Sequence, residues 1–193
     1  MRFFWLRRPV FGFAYLENSW LRLELLSPSH LESLWEVVQH IDVFAFSPND
    51  LSSKDKLESY IQRAIAEHQK GEAIPFAIYD KKNEVYVGST RFGYIDHKNR
   101  LLHIGWTWIA PKSQGTGLNT SLKQLMISEA FGPMNMRKIV FRVDALNTRS
   151  RKAVEKLGAT LEGILKKDVY VKGGRLRDTC CYALFREGFF KNK

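Results

Sequence analysis

The chain has 193 residues, 45% hydrophobic and 26% charged, and its 30 Lys+Arg against 20 Asp+Glu leave a formal net charge of +10. That length suits one ordinary domain that buries its own core without metals or disulfides, and the composition excludes disordered and fibrous classes. The basic excess favours phosphate-bearing partners such as RNA, anionic lipid or a phosphorylated cofactor, yet only "LKKD", "VKGGRLR" and "KNK" cluster locally, so a solvated basic surface explains it equally well.

In chain order, "MRFFWLRRPVFGFAY" is aromatic but broken by Arg7, Arg8 and Pro9. No run reaches the roughly 20 apolar residues of a membrane span, and charge and apolar stretch come in the wrong order for a signal peptide. Residues 1–19 read as an arm that packs on the domain or on a second subunit, and residues 20–190 as a single domain. "WLRLELLS" alternates as a strand does, and Ser27 or Ser29 caps the helix "HLESLWEVVQHI". A second helix covers "SSKDKLESYIQRAIAEHQKG", with Leu57, Tyr60, Ile61, Ala64 and Ile65 at helical spacing and Gly71 as its stop. "IPFAIYD" and "VYVGSTRFGYI" predict an antiparallel hairpin, followed by the strand "LLHIGWTWIA".

"PKSQGTGLNTSLK" then sets two glycines before a helix whose apolar stripe is Leu118, Leu122, Leu125, Met126 and Ala130. "KIVFRVDA" is a strand, "TRSRKAVEKLG" a short helix, and "ATLEGILKKDVYVKGGRLRDTCCYALF" a closing pair of strands around "KGGR". Cys180 and Cys181 are neighbours on a strand and point to opposite faces, so no easy disulfide forms and a reducing cytoplasm is the simplest compartment.

The glycine stretch is neither a P-loop nor a dinucleotide fingerprint: the spacing to a Lys-Ser/Thr pair is missing, and Thr120 stands where a third glycine belongs. It still joins a strand to a helix whose first amides lack internal partners, which suits an anion. The helix dipole alone is worth about 0.3–1 kcal/mol, so a useful seat needs several amides converging on one phosphate. A plain strand-to-helix turn accounts for the stretch as well.

Gln114, Gly117 and Asn119 fall on the Gln/Arg-x-x-Gly-x-Gly/Ala signature of the GNAT superfamily of acyl-CoA-dependent N-acetyltransferases, with Asn119 a departure from Gly/Ala. "GTGLNTSLK" together with "DALNTRSRKAVEKLGATLEGILKKDVYVKGGRLRDT" resembles the subgroup similar to RimJ/RimL-type acetyltransferases of ribosomal-protein N-termini, where Asn is common at that point. The resemblance runs from about Trp20 to Phe190. It implies an α+β (α/β) fold, a mixed, mostly antiparallel twisted sheet of about seven strands, splayed at the acyl-CoA site and flanked by about four helices. It further implies pyrophosphate on the amides of Gln114, Gly115, Thr116, Gly117, Leu118 and Asn119, and pantetheine against the backbone of Trp108, Ile109 and Ala110 and against Asn147, with Ser150 one turn on. Asn147 and Ser150 are equally ordinary helix-capping residues.

Acyl transfer to an amine needs a neutral nucleophile, a donor for the oxyanion and a proton for the leaving thiolate. The resemblance places the oxyanion donor at the backbone of Ile109. His103 stands where relatives often carry Glu, and is a candidate base or substrate-binding group, or a structural histidine. A tyrosine used by other members as general acid is replaced by Val154, which leaves Tyr170 and Tyr182 as candidates. The five histidines and the vicinal cysteines show no metal-ligand spacing, so no metal is expected. The expectation is a cytoplasmic enzyme, monomer or homodimer, that moves acetyl directly from acetyl-CoA to a peptide N-terminus or small amine, with ribosome association as a further possibility. The alternative is a basic RNA- or ribosome-binding module that keeps the fold.

Overall fold

The computed structural model describes residues 15–40 and 43–191, so most of the expected N-terminal arm lies outside the described residues. The strands are β1 (Tyr15–Glu17), β2 (Leu21–Leu25), β3 (Ile74–Asp80), β4 (Val85–Asp96), β5 (Leu101–Ile109), β6 (Lys138–Asp144), β7 (Thr160–Tyr170) and β8 (Leu176–Phe185). The helices are α1 (Leu31–Val38), α2 (Lys54–Gln69), α3 (Leu118–Phe131), α4 (Thr148–Glu155) and α5 (Arg186–Lys191). Ser27 caps the 3-10 turn that leads into α1, and the Ser53 hydroxyl accepts the Lys56 N–H at 3.3 Å to start α2.

All eight strands form one sheet in the order β1-β2-β3-β4-β5-β6-β8-β7. The eighth beyond the expected seven is β1, which pairs with β2 from within the stretch read as arm. Every pairing is antiparallel except β5 with β6. That parallel pairing ends at His103 opposite Val140, although β5 continues to Ile109 and β6 to Asp144. The sheet therefore splits between β5 and β6 beyond that pair.

One face carries α3 and α4. Leu118, Leu122, Met126, Ile127 and Phe131 pack there with Leu23, Phe76, Ile104, Ile139 and Tyr182. The buried side of α3 is wider than the expected stripe, since Lys123, Ile127 and Phe131 share it and Leu125 is only half-buried. The other face is covered over β2 to β5 by α1 and α2, through Leu34, Val38, Leu57, Tyr60, Ile61 and Ala64 against Ala77 and Trp108. Cys180 is buried in the first of these cores, and both cysteines are free thiols. No helix among the described residues is long and apolar enough to cross a membrane.

Candidate active site

The mouth of the split is built from a turn and a helix start. Gly115 and Gly117 have φ of 77° and 95°, the left-handed region that side chains disfavour, and Gly117 is the N-cap of α3. The first intrahelical donor is Ser121, which bonds the Gly117 carbonyl at 3.0 Å, so the amides of Leu118, Asn119 and Thr120 precede the helix ladder. Leu118 N–H has only a long contact of 3.4 Å with the Thr116 hydroxyl. A Cβ on Gly115 would meet nothing within 4 Å, so its backbone is open to a ligand. Gln114 braces the turn: its Nε2 donates to the Ile109 carbonyl at 2.9 Å, and its Oε1 accepts from Arg149 of α4 at 2.5 Å, across the split.

The wall of the split is the free edge of β5. Ala110 N–H turns toward β4 and donates to the Val87 carbonyl at 2.7 Å, while Ser113 N–H takes the Ala110 carbonyl at 2.9 Å. Because strand residues alternate in direction, the Ile109 N–H faces the opposite way, toward β6 and the opening. Gly88 permits the close β4–β5 contact behind it, since a Cβ there would stand 2.0 Å from the Trp108 carbonyl oxygen. The pairing with β4 slips between Ser89 and Arg91, where Trp106 and Thr107 of β5 stand against Thr90 alone, and within that bulge Trp106 takes a φ of 51°. On the far wall Asn147 caps α4, its Oδ1 accepting Ser150 N–H at 3.0 Å, and its Nδ2 makes no hydrogen bond among the described residues.

Below the split, His103 packs edge-on to Tyr94 at 4.9 Å. Burial, helped by the Arg142 and Lys138 cations, pushes its imidazole down to about 4, so at neutral pH it is uncharged and a weak base. Burial alone would raise the Asp168 carboxyl, but hydrogen bonds from Thr179 and Arg142 outweigh it and hold it below its ordinary range. Tyr182 is buried, accepts from Arg151 at 3.0 Å and donates to Glu155 at 2.7 Å, so its hydroxyl is committed within the core. Tyr170 is 65% exposed on β7, the sheet's outer strand.

Compared with known proteins, residues 21–160 match the Acetyltransferase (GNAT) domain family. The chain belongs to the GNAT family. It is therefore an acyl-CoA-dependent N-acetyltransferase. Over 91% of its length it is 27% identical to the uncharacterized N-acetyltransferase p20 of Bacillus licheniformis, covering 97% of that protein. It is also 27% identical to YdaF of Bacillus subtilis, provisionally named a ribosomal N-acetyltransferase, over 88% of this chain and 93% of YdaF. Its fold matches RimJ of Mycobacterium smegmatis, solved with CoA-disulfide, with a TM-score of 0.77 at 22% identity, over 87% and 83% of the two chains.

In this GNAT chain the bond between Gln114 and Arg149 brings the turn after β5 beside the start of α4, which carries Asn147 and Ser150, and His103 stands at the last β5–β6 pair. Sequence reading passed over Arg149, Trp106 and Lys123. Arg149 carries no local signal, because its partner Gln114 is 35 residues away. Trp106 marks a bulge whose positive φ no residue type announces. Lys123 was visible as a charge beside Leu122 on the apolar side of α3, and its amine is buried against the Thr107 hydroxyl at 2.7 Å.

Proposed function

We propose that this enzyme acetylates α-amines, either peptide and protein N-termini or small amines of similarly low pKa, with acetyl-CoA as donor. The observation that carries this reading is the state of the proton acceptors in the groove. His103 sits at about 4, and the Asp168 carboxyl, bonded by Thr179 and Arg142, is held below its ordinary range. Neither is a strong base. An α-amine needs little help: deprotonating it at pH 7 costs about 1 kcal/mol, against nearly 5 for a lysine amine. YdaF's name as a ribosomal acetyltransferase supports a protein N-terminus among the acceptors.

The residues at the split fit the donor. Acetyl-CoA, when bound, supplies an activated acetyl carbonyl. The amides from Gly115 to Asn119, of which only Leu118 N–H has a contact among the described residues, the long one to Thr116, suit pyrophosphate oxygens, as the open space at Gly115 allows. Ile109 N–H, facing the opening, is placed to donate to negative charge that builds on a carbonyl oxygen there. Asn147 Nδ2 offers a further donor from α4. The CoA-disulfide in the RimJ structure supports the same use of the split.

Titration calorimetry with acetyl-CoA, followed by thiol release over a panel of peptides, tests the proposal. Saturable binding is expected, with kcat/KM for free N-termini on the order of a hundredfold or more above that for lysine in Nα-blocked peptides. No heat at millimolar acetyl-CoA, or equal use of the two amines, would sink it.

A further inference from the structure

We propose that the small cavity between α2 and the β4–β5 hairpin is a subsite for one carboxylate of the amine acceptor, an inference that rests on the acetyltransferase reading above. The cavity has a volume of about 80 Å³ and is lined by Asn49, Tyr60, Arg63, Glu67, Arg91 and Trp106. That space admits a carboxylate head group and excludes a whole substrate. Two of its buried donors have no acceptor among the described residues: the Tyr60 hydroxyl and the Arg91 Nε, each on a side chain only 3% exposed. Buried donors are nearly always paired, so two orphans lining one cavity mark the place of a missing acceptor.

The lining is also built rather than incidental. Arg91 Nη1 is ion-paired with Glu67, and its guanidinium lies 5.2 Å from the Tyr60 ring and 5.0 Å from the Trp106 ring. Trp106 is fixed in turn: a Cβ on Gly93 would stand 2.5 Å from its ring, so the indole needs glycine beneath it. Arg63 and Arg91 set two guanidiniums against the one carboxylate of Glu67, a formal excess of one positive charge, which matches a single anion. A guanidinium and a phenol hydroxyl are the donors a carboxylate takes.

Position identifies the source of that carboxylate. Trp106 is three residues from Ile109, a span of up to about 10 Å along a strand. The carboxylate of a free amino acid lies two bonds from its amine, too close to bridge that span. An acidic side chain on the second or third residue of a peptide reaches it. The subsite thus favours acidic N-terminal segments.

The test uses tetrapeptide amides that differ only in Glu against Gln at the second or third residue, with free glutamate as a separate arm. Dissociation constants are measured by calorimetry with CoA present, and KM and kcat by thiol release. The Glu peptides are expected to bind about tenfold or more tightly than their Gln counterparts, the scale of a hydrogen bond to a charged group. Tyr60→Phe and, separately, Arg63→Ala are expected to reduce that preference to about twofold or less, with thermal midpoint and acetyl-CoA affinity as controls of folding. Tyr60→Phe removes one unpaired buried oxygen, so it should melt no lower than the natural chain. A preference confined to free glutamate over free glutamine would overturn the peptide assignment, because the group bound would then be the γ-carboxylate of a small amine acceptor. Equal affinity for Glu and Gln peptides, or a preference that survives both variants, would overturn the inference. If acetyl-CoA binds but no peptide is acetylated, the acetyltransfer reading fails while the calorimetric comparison still decides the subsite.

Discussion

Lys123 carries an amine from α3 into the core on a side chain only 8% exposed, where its Nζ meets the Thr107 hydroxyl and, among the described residues, no carboxylate. Burial lowers its pKa from 10.5 to about 7. Between those values the unfolded chain holds a proton that the folded chain releases, so this residue makes stability rise with pH across the window. Its destabilising effect is full below about pH 7 and absent above 10.5. Lys123→Met is therefore expected to stabilise the protein at pH 7 by up to ~4 kcal/mol, less the lost bond to Thr107, and to give no gain near pH 10.5. Urea midpoints at the two pH values check this; a variant less stable at both would show a proton-independent role for the amine. His103 shows the limit of reading residues one at a time. Its identity as a candidate base was readable, but the burial that chiefly depresses it, and the cations Arg142 and Lys138 of β6 that add to this, arise only through the fold.

At the scale of elements, the start of α3 binds conformation to function. Gly117 holds φ at 95°, yet a Cβ there would lie 3.6 Å from the Trp20 ring, an ordinary contact. Gly117→Val therefore meets no wall; it meets backbone strain of about 1–2 kcal/mol and turns the amides that follow. The expected result is a modest fall in thermal midpoint and an acetyl-CoA Kd raised about tenfold or more, read by calorimetry. A folded variant with unchanged Kd would remove these amides from the proposed pyrophosphate seat. Most elements could be read in advance because each carries its own punctuation, such as the Ser53 cap of α2 and the Gly173–Gly174 turn between β7 and β8. Two features could not. β1 is three residues long, too short for any period, and exists because β2 offers it an edge. The bulge at Trp106 follows from pairing across β4 and β5, which no local pattern encodes.

Across the whole molecule, the sheet is two wings joined through only three residue pairs of β5 and β6, so contacts elsewhere that bridge the wings add to that join. One is polar and distant in sequence. Arg177 of β8 donates through Nη1 to the Phe46 carbonyl at 3.1 Å and through Nε to the Thr179 hydroxyl at 2.9 Å, while Arg175 reaches the buried Asp144 at 2.5 Å. This clasp ties the α1–α2 loop to the β6–β8 wing, and the same loop carries Asn49 into the proposed carboxylate cavity. Of the basic residues, Lys54, Lys56, Lys81, Lys138 and Lys166 each pair with an acid. Arg177→Met keeps the apolar stem but removes a charged hydrogen bond worth about 1.5–3 kcal/mol. Amide exchange over residues 45–51 should quicken and the acceptor KM should rise, while the acetyl-CoA Kd, set chiefly by the turn before α3, stays as it was. Unchanged exchange would mean that Leu51, buried with α1 and α2, holds the loop without the clasp. Equal weakening toward acetyl-CoA and acceptor would instead mean that the clasp sets the separation of the wings themselves.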